Sequence, residues 1–141
     1  MKTIENKLSS PLAINPNIFR SLRGLYTAQE ILKLQDMCEM VDPKCGSYAI
    51  RQANNKLHDP LTLQRELGYA YSTFAAFIRK LRKHAIIAIC SGAKHKWYLL
   101  NPYLVNRGPV NNTTFAIFKD HDLSKGFSAL DINEVKSNKL N

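Results

Sequence analysis

The chain has 141 residues, 45% of them hydrophobic, enough for one domain with a real core and flanking segments. No stretch approaches the roughly 20 apolar residues of a membrane helix. Met1-Lys2-Thr3-Ile4-Glu5-Asn6-Lys7 leads into no apolar signal-peptide core, so a cytoplasmic protein without membrane contact is expected. Twenty Lys and Arg against eleven Asp and Glu give a net charge of +9, which favours anionic partners.

Residues 1–23 read as an arm or irregular lead-in. Ser9-Ser10-Pro11 and Asn15-Pro16-Asn17 interrupt it, Lys2, Lys7, Arg20 and Arg23 charge it, and no helical or strand period runs through it. The first clear helix starts at Thr27. Thr27-Ala28-Gln29-Glu30 is a capping box, and Tyr26 and Ile31 stand where a hydrophobic staple belongs. Ile31, Leu34, Cys38 and Val41 follow at helical spacing, and Asp42-Pro43 ends the run. Residues 43–58 connect, with a short strand over Ser47-Tyr48-Ala49-Ile50-Arg51.

Asp59-Pro60 announces a second helix, an N-cap followed by proline at the first helical position. Leu63 and Leu67 lie one turn apart and Gly68 follows as a left-handed cap. After Tyr69-Ala70-Tyr71, Ser72 marks the next start. The third helix runs over about Thr73 to Lys83, with Phe74, Phe77, Ile78 and Leu81 on one side. Two short helices on a tight, glycine-containing turn form the helix-turn-helix pattern. The period then changes. Ala85-Ile86-Ile87-Ala88-Ile89-Cys90 and His95-Lys96-Trp97-Tyr98-Leu99-Leu100 read as strands about the turn Ser91-Gly92-Ala93-Lys94. Phe115, Ile117 and Phe118 are expected to pack back on the domain. From Asp120 the chain is polar and mixed in charge, and partial disorder is expected.

The order helix, short strand, helix, helix, hairpin is that of an α+β winged helix-turn-helix: a three-helix core and a β-hairpin wing. Residues 24–118 form this domain, between an N-terminal arm (1–23) and a polar C-terminal tail (119–141). From Leu67 through Lys119 there is no Asp or Glu, while Arg79, Lys80, Arg82, Lys83, Lys94, Lys96, Arg107 and Lys119 fall in the span. A one-sign segment attracts a polyanion; the plainer alternative is a solvated basic face without a partner. Opposite the apolar side of the third helix stand Ser72, Thr73, Ala75, Ala76, Arg79, Lys80 and Lys83, with Tyr71 just before them. Ser72 and Thr73 can bond bases or phosphates. Ala75 and Ala76 permit close approach and contact with thymine methyls, and Arg79 and Lys80 suit phosphate or guanine. Lys94, His95 and Lys96 at the wing tip can hold phosphates or enter a minor groove. Strand alternation sends one of Trp97 and Tyr98 to the core; for Trp97 the choice lies between core packing and base stacking.

Catalysis, metal and cofactor find no pattern. Cys38, Cys45 and Cys90 contain no CxxC, and their spacing with His84 or His95 matches no closed zinc site. Cys38 and Cys90 are read as small core hydrophobes. His58, His84, His95 and His121 are scattered, without a glycine-rich phosphate loop, an HExxH helix, a GxSxG elbow or the His-x-His pair of a nicking enzyme.

Leu67-Gly68, Ser72-Thr73-Phe74 and Ile78-Arg79-Lys80-Leu81 resemble the general winged-helix signature of bacterial regulators. Trp97-Tyr98-Leu99-Leu100-Asn101-Pro102-Tyr103-Leu104-Val105, with Arg107-Gly108 after it, resembles the strand-plus-Asn-Pro ending of RepL-type plasmid replication proteins and related phage and plasmid proteins. The resemblance spans about residues 27–118. His84 stands where that pattern has glycine, and Phe77 where it has a small residue. The resemblance implies specific binding to double-stranded DNA at a plasmid or phage replication origin, with host replication proteins as further partners. A transcriptional repressor of a mobile element and a protein-binding winged-helix adaptor are the alternatives. One winged helix covers only a short half-site. A two-fold homodimer through residues 11–26 (Leu12, Ile14, Ile18, Phe19, Leu22) and 113–130 (Phe115, Ile117, Phe118, Phe127) would extend it; otherwise these residues complete the monomer core.

Overall fold

The computed structural model describes residues 12–42, 46–125 and 134–136. It opens with a short strand β1 (Ala13–Ile14) and a helix α1 (Pro16–Leu22). The irregular lead-in expected over 1–23 thus gives way to structure from residue 13. The Asn15 side chain accepts from the amides of Asn17 and Ile18, and proline occupies the first turn, where its missing N–H costs nothing. A seven-residue helix shows too few turns for a period to stand out. Yet Ile18, Phe19 and Leu22 are buried in the chain's own core, and β1 pairs antiparallel with residues 105–106.

Helix α2 (Ala28–Glu39) starts on the predicted box. The Glu30 amide donates to Thr27 Oγ1 at 3.1 Å and the Thr27 amide to Glu30 Oε1 at 2.9 Å. It buries Leu34, Met37 and Cys38. The expected strand near residue 48 is present as single pairings, Val41 with Ile50 and Ala49 with Leu99. Helix α3 (Pro60–Leu67) is capped by Asp59, which exchanges bonds with Thr62. Gly68 leaves it left-handed at φ 74°, a conformation glycine adopts without penalty. Helix α4 (Tyr71–Lys83) then begins at Tyr71 rather than after a Ser72 cap. Its N-cap is Ala70, whose side chain makes no capping bond.

Strands β2 (Ile87–Ser91) and β3 (Lys96–Leu100) form the predicted antiparallel hairpin. Beyond it lie β4 (Val105–Asn106), helix α5 (Asn112–Phe118), a 3-10 turn over Leu123–Lys125 and β5 (Glu134–Lys136), which joins β2 in parallel. The described residues thus form an α+β fold with five α-helices and two small sheets, β1-β4 and β3-β2-β5. Most of the C-terminal tail, Phe127 included, lies outside the described residues. Phe118 is buried and Ile117 partly so, but Phe115 is 52% exposed. It therefore does not pack back as expected: on this short helix only the Phe118 side turns inward.

The left-handed residue of this joint falls one position after His84, which stands where the resembled pattern has glycine. His84 is ordinary at φ −99°, whereas Ala85 is left-handed at φ 59° and fully buried. The Ile86 amide donates to the Leu81 carbonyl at 2.9 Å and the Ala85 amide to the Arg82 carbonyl at 3.0 Å. This is a Schellman ending with alanine in the place usually held by glycine. It is held by Asn101, a buried residue at the end of β3. Asn101 Nδ2 donates to the Ala85 and His121 carbonyls, each at 2.9 Å, and its Oδ1 accepts from the Tyr103 amide at 2.9 Å. Replacing it with a side chain unable to make these bonds strands several buried backbone groups. Asn101→Ala is expected to lower the unfolding free energy by about 3 kcal/mol in urea denaturation. A loss under about 1 kcal/mol would show that the carboxamide is dispensable.

Candidate nucleic-acid interface

Helix α4 has two faces. Phe74, Phe77, Ile78 and Leu81 are buried, and Phe77 meets Tyr69 edge-on at 5.5 Å. Ser72, Ala76, Arg79 and Lys83 are exposed. Their steps of four, three and four residues keep them on one stripe of the helix. Tyr71, 73% exposed, and Thr73 flank the stripe at its start. Because Ala70 caps nothing, the first amides of α4 have no side-chain acceptor. An uncapped helix N-terminus favours an anion.

Two sequence candidates sit differently. Ala75 is partly buried. The Lys80 ammonium lies 3.1 Å from Glu30 Oε1 and 4.4 Å from the centre of the Tyr26 ring. Lys80 is therefore engaged in joining α4 to the start of α2. The Tyr26 hydroxyl completes the joint, 3.1 Å from the Lys80 carbonyl and 2.7 Å from His84 Nδ1. Burial would raise the Glu30 carboxyl, but its bond to the Thr27 amide and the Lys80 ammonium outweigh it and hold the group below its ordinary value. Burial, with Lys83 and Lys80 nearby, holds His84 below the usual imidazole value.

Arg107 also has a structural role. Its Nη1 donates to the Val41 carbonyl at 2.8 Å and the Glu39 carbonyl at 3.3 Å, closing the C-terminal end of α2, where a cation opposes the helix dipole. The Tyr48 hydroxyl donates to the Gly108 carbonyl at 2.8 Å and accepts from the Arg107 amide at 3.1 Å. The acid-free span thus contributes fewer available cations than its composition implies.

The β2-β3 turn closes with the Gly92 amide on the His95 carbonyl at 2.7 Å. It exposes Lys94, His95 and Lys96, so these three candidates share one tip, separate from the α4 stripe. Tyr98 is buried, while Trp97 packs only in part against a second apolar cluster that includes Ala88, Cys90 and Phe118. Both predicted core cysteines are buried; burial pushes Cys38 and Cys90 up to about 12, which keeps them as unreactive thiols.

The sequence left Lys56 unassigned. It lies exposed on a tight turn where the Gln52 amide donates to the Lys56 carbonyl at 2.7 Å, and with Lys96 and Trp97 it lines a cleft of about 410 Å³. Asn54-Asn55 signals the turn, but no local signal places it against β3. No helix among the described residues is long and apolar enough to cross a membrane. No protein family, curated protein or solved structure matches the chain.

The histidines set a pH dependence of stability. Burial holds His58 below the ordinary 6.5 against the opposing pull of Glu66 and Asp59, and His84 is lowered from the same value. A base depressed by folding leaves the unfolded chain holding more protons as pH falls. Its contribution is complete above about 6.5 and drains away as the pH falls through the lower folded-state values. The urea midpoint is expected to be lower at pH 5.5 than at pH 7.5, with the drop reduced in His58→Gln and His84→Gln. A midpoint that rises on acidification would contradict this.

Proposed function

We propose that the chain is a winged-helix protein that binds a specific double-stranded DNA site, acting as a plasmid or phage replication initiator. The observation that carries the reading is the solvent-facing stripe Ser72, Ala76, Arg79 and Lys83 on a helix whose other face is buried. The order of elements supports it as well: α2, the Ala49 pairing segment, α3, α4 and the β2-β3 hairpin follow the winged-helix sequence of parts. The three residues Gly68, Tyr69 and Ala70 between α3 and α4 supply a turn of helix-turn-helix length.

In this reading α4 enters the major groove. Ser72 and Thr73 bond base edges or nearby phosphates, Ala76 lets the backbone approach, and Arg79 and Lys83 take phosphate or guanine. Lys94, His95 and Lys96 hold the sugar-phosphate backbone at a second point. Lys80 steadies α4 against α2 instead of touching DNA. The initiator role follows the resemblance to RepL-type proteins. A repressor would share every contact named here, and recovery of bound fragments from the native replicon separates the two by where they map.

If about five phosphates are neutralised, the log–log slope of affinity against salt should lie near −4 to −5. A slope near zero in duplex titrations would favour the adaptor. The two surfaces should also fail differently. Ala76→Glu puts a carboxylate against the duplex and should abolish preference for the specific site. Lys94→Ala with Lys96→Ala should weaken specific and random duplexes alike, by several-fold. Competition titrations decide this, and equal loss on both duplexes for both variants would show that α4 is not the reader.

A further inference from the structure

A cleft lies beside the hairpin and shares His95 and Lys96 with its tip, while the duplex reading gives its other lining residues, Lys56 and Trp97 among them, no task. Its volume is about 410 Å³ and it is lined by Gln52, Lys56, Asp59, His95, Lys96 and Trp97, among others, a size ordinary for small-ligand sites. One wall is the turn over residues 51–57, closed by the pairing of Arg51 with Leu57 and by Gln52 Nε2 donating to the Leu57 carbonyl at 3.1 Å. The other wall is the start of β3, which runs on beyond the partner of Leu99, Ala49. Two chain segments pinned by hydrogen bonds therefore frame one indole.

That indole is a prepared platform. Trp97 packs in part against the cluster of Ala49, Ala88, Cys90, Leu99 and Phe118 and also lines the cleft. Lys56, His95 and Lys96 around it are exposed. An aromatic with cations beside it is the chemistry that holds a nucleobase by its face and its phosphates by charge. A base within a duplex is covered on both faces by its neighbours, so only a base out of the stack can lie on an indole inside a cleft. Asp59, whose Oδ1 accepts from the Thr62 amide at 2.8 Å, makes one end of the cleft unfavourable for phosphate. The strand's phosphates fall instead to the lysines.

We propose that this cleft binds an unpaired nucleotide of a DNA strand, its base stacked on Trp97 and its phosphates beside Lys56 and the hairpin tip. This rests on the DNA-binding reading above and adds a second function to it: duplex recognition by α4, and capture of an unpaired base in the cleft beside the hairpin tip.

Trp97 is the single tryptophan of the chain, so its emission reports on the cleft and the adjoining hairpin tip. The intact protein is titrated with an oligodeoxycytidylate of about ten nucleotides, within the footprint of single-strand binders, with deoxycytidine monophosphate, and with a duplex. Saturable quenching by the oligonucleotide is expected at far lower concentration than by the mononucleotide. Lys56→Glu, on an exposed turn, should weaken oligonucleotide binding several-fold without unfolding the chain. Trp97→Leu, followed by anisotropy of a labelled oligonucleotide, should cost roughly 5- to 150-fold, the range for losing one base–aromatic stack. Ala76→Glu should keep the quench while losing preference for the specific duplex. Absence of quenching by the oligonucleotide, or its loss in Ala76→Glu, overturns the cleft as the site. Equal affinity for the mononucleotide overturns the strand as the ligand. A quench that survives in a protein with no duplex affinity at all supports the cleft and removes the duplex reading alone.

Discussion

The carboxamide of Asn101 is the point on which three parts of the chain converge. Through it the end of β3 is tied to the left-handed residue that leaves α4, to the turn at Tyr103, and to the backbone at His121. An alanine at positive φ is costly on its own, because its Cβ crowds the following carbonyl. It persists where surrounding bonds over-determine it. The direction in which the hairpin leaves α4 therefore depends on one buried polar side chain that is bonded through both its nitrogen and its oxygen. The Asn-Pro pair, which reads in the sequence as a strand stop, is in the fold a joint between helix, hairpin and the chain that follows.

Cations of the acid-free span divide between work inside the molecule and work at its surface. Lys80 and Arg107 face carboxylate, aromatic ring and helix-end carbonyls. Arg79, Lys83 and Lys94 face solvent. The half-buried Glu30–Lys80 pair is short, yet a pair of this exposure contributes little by itself. Its value lies in the company of the Tyr26 hydroxyl, which meets the Lys80 carbonyl and His84, so that a charge pair, a ring and a helix end share one joint. Adjacent residues on α4 thus serve different purposes because a step of one position turns the side chain by about 100°.

Elements with local signals were legible in the sequence. Thr27 with Glu30, Asp59 with Pro60, and Gly68 announce their boundaries through side-chain chemistry that acts within four residues. The exposed stripe of α4 was also legible, since helical period alone separates Ser72, Ala76, Arg79 and Lys83 from Phe74, Ile78 and Leu81. What escaped was set by distant partners. Helix α1 is too short for its period to show, and its burial depends on residues far along the chain. The start of α4 shifted to Tyr71 because Ala70, with no capping side chain, takes the extended backbone that Ser72 seemed chemically fitted for. Lys80 looked like its neighbours until Glu30 and Tyr26 were placed beside it. Lys56 carries no local mark, because only the fold sets its turn against Trp97.

The pairing of β1 with β4 joins residues 13–14 to residues 105–106, and the Asn15 amide donates to the Leu104 carbonyl at 2.8 Å. Contacts this far apart in sequence must close a large loop before they return any free energy, which makes them slow. On a ribosome the delay is longer still, since chains grow at about 5–20 residues per second and the partner of β1 is made roughly ninety residues later. Throughout that interval the pairing of β1 and the Asn15–Leu104 bond that tie this segment down cannot form. A segment made early is thus seated late, because the strand that anchors it comes roughly ninety residues after it.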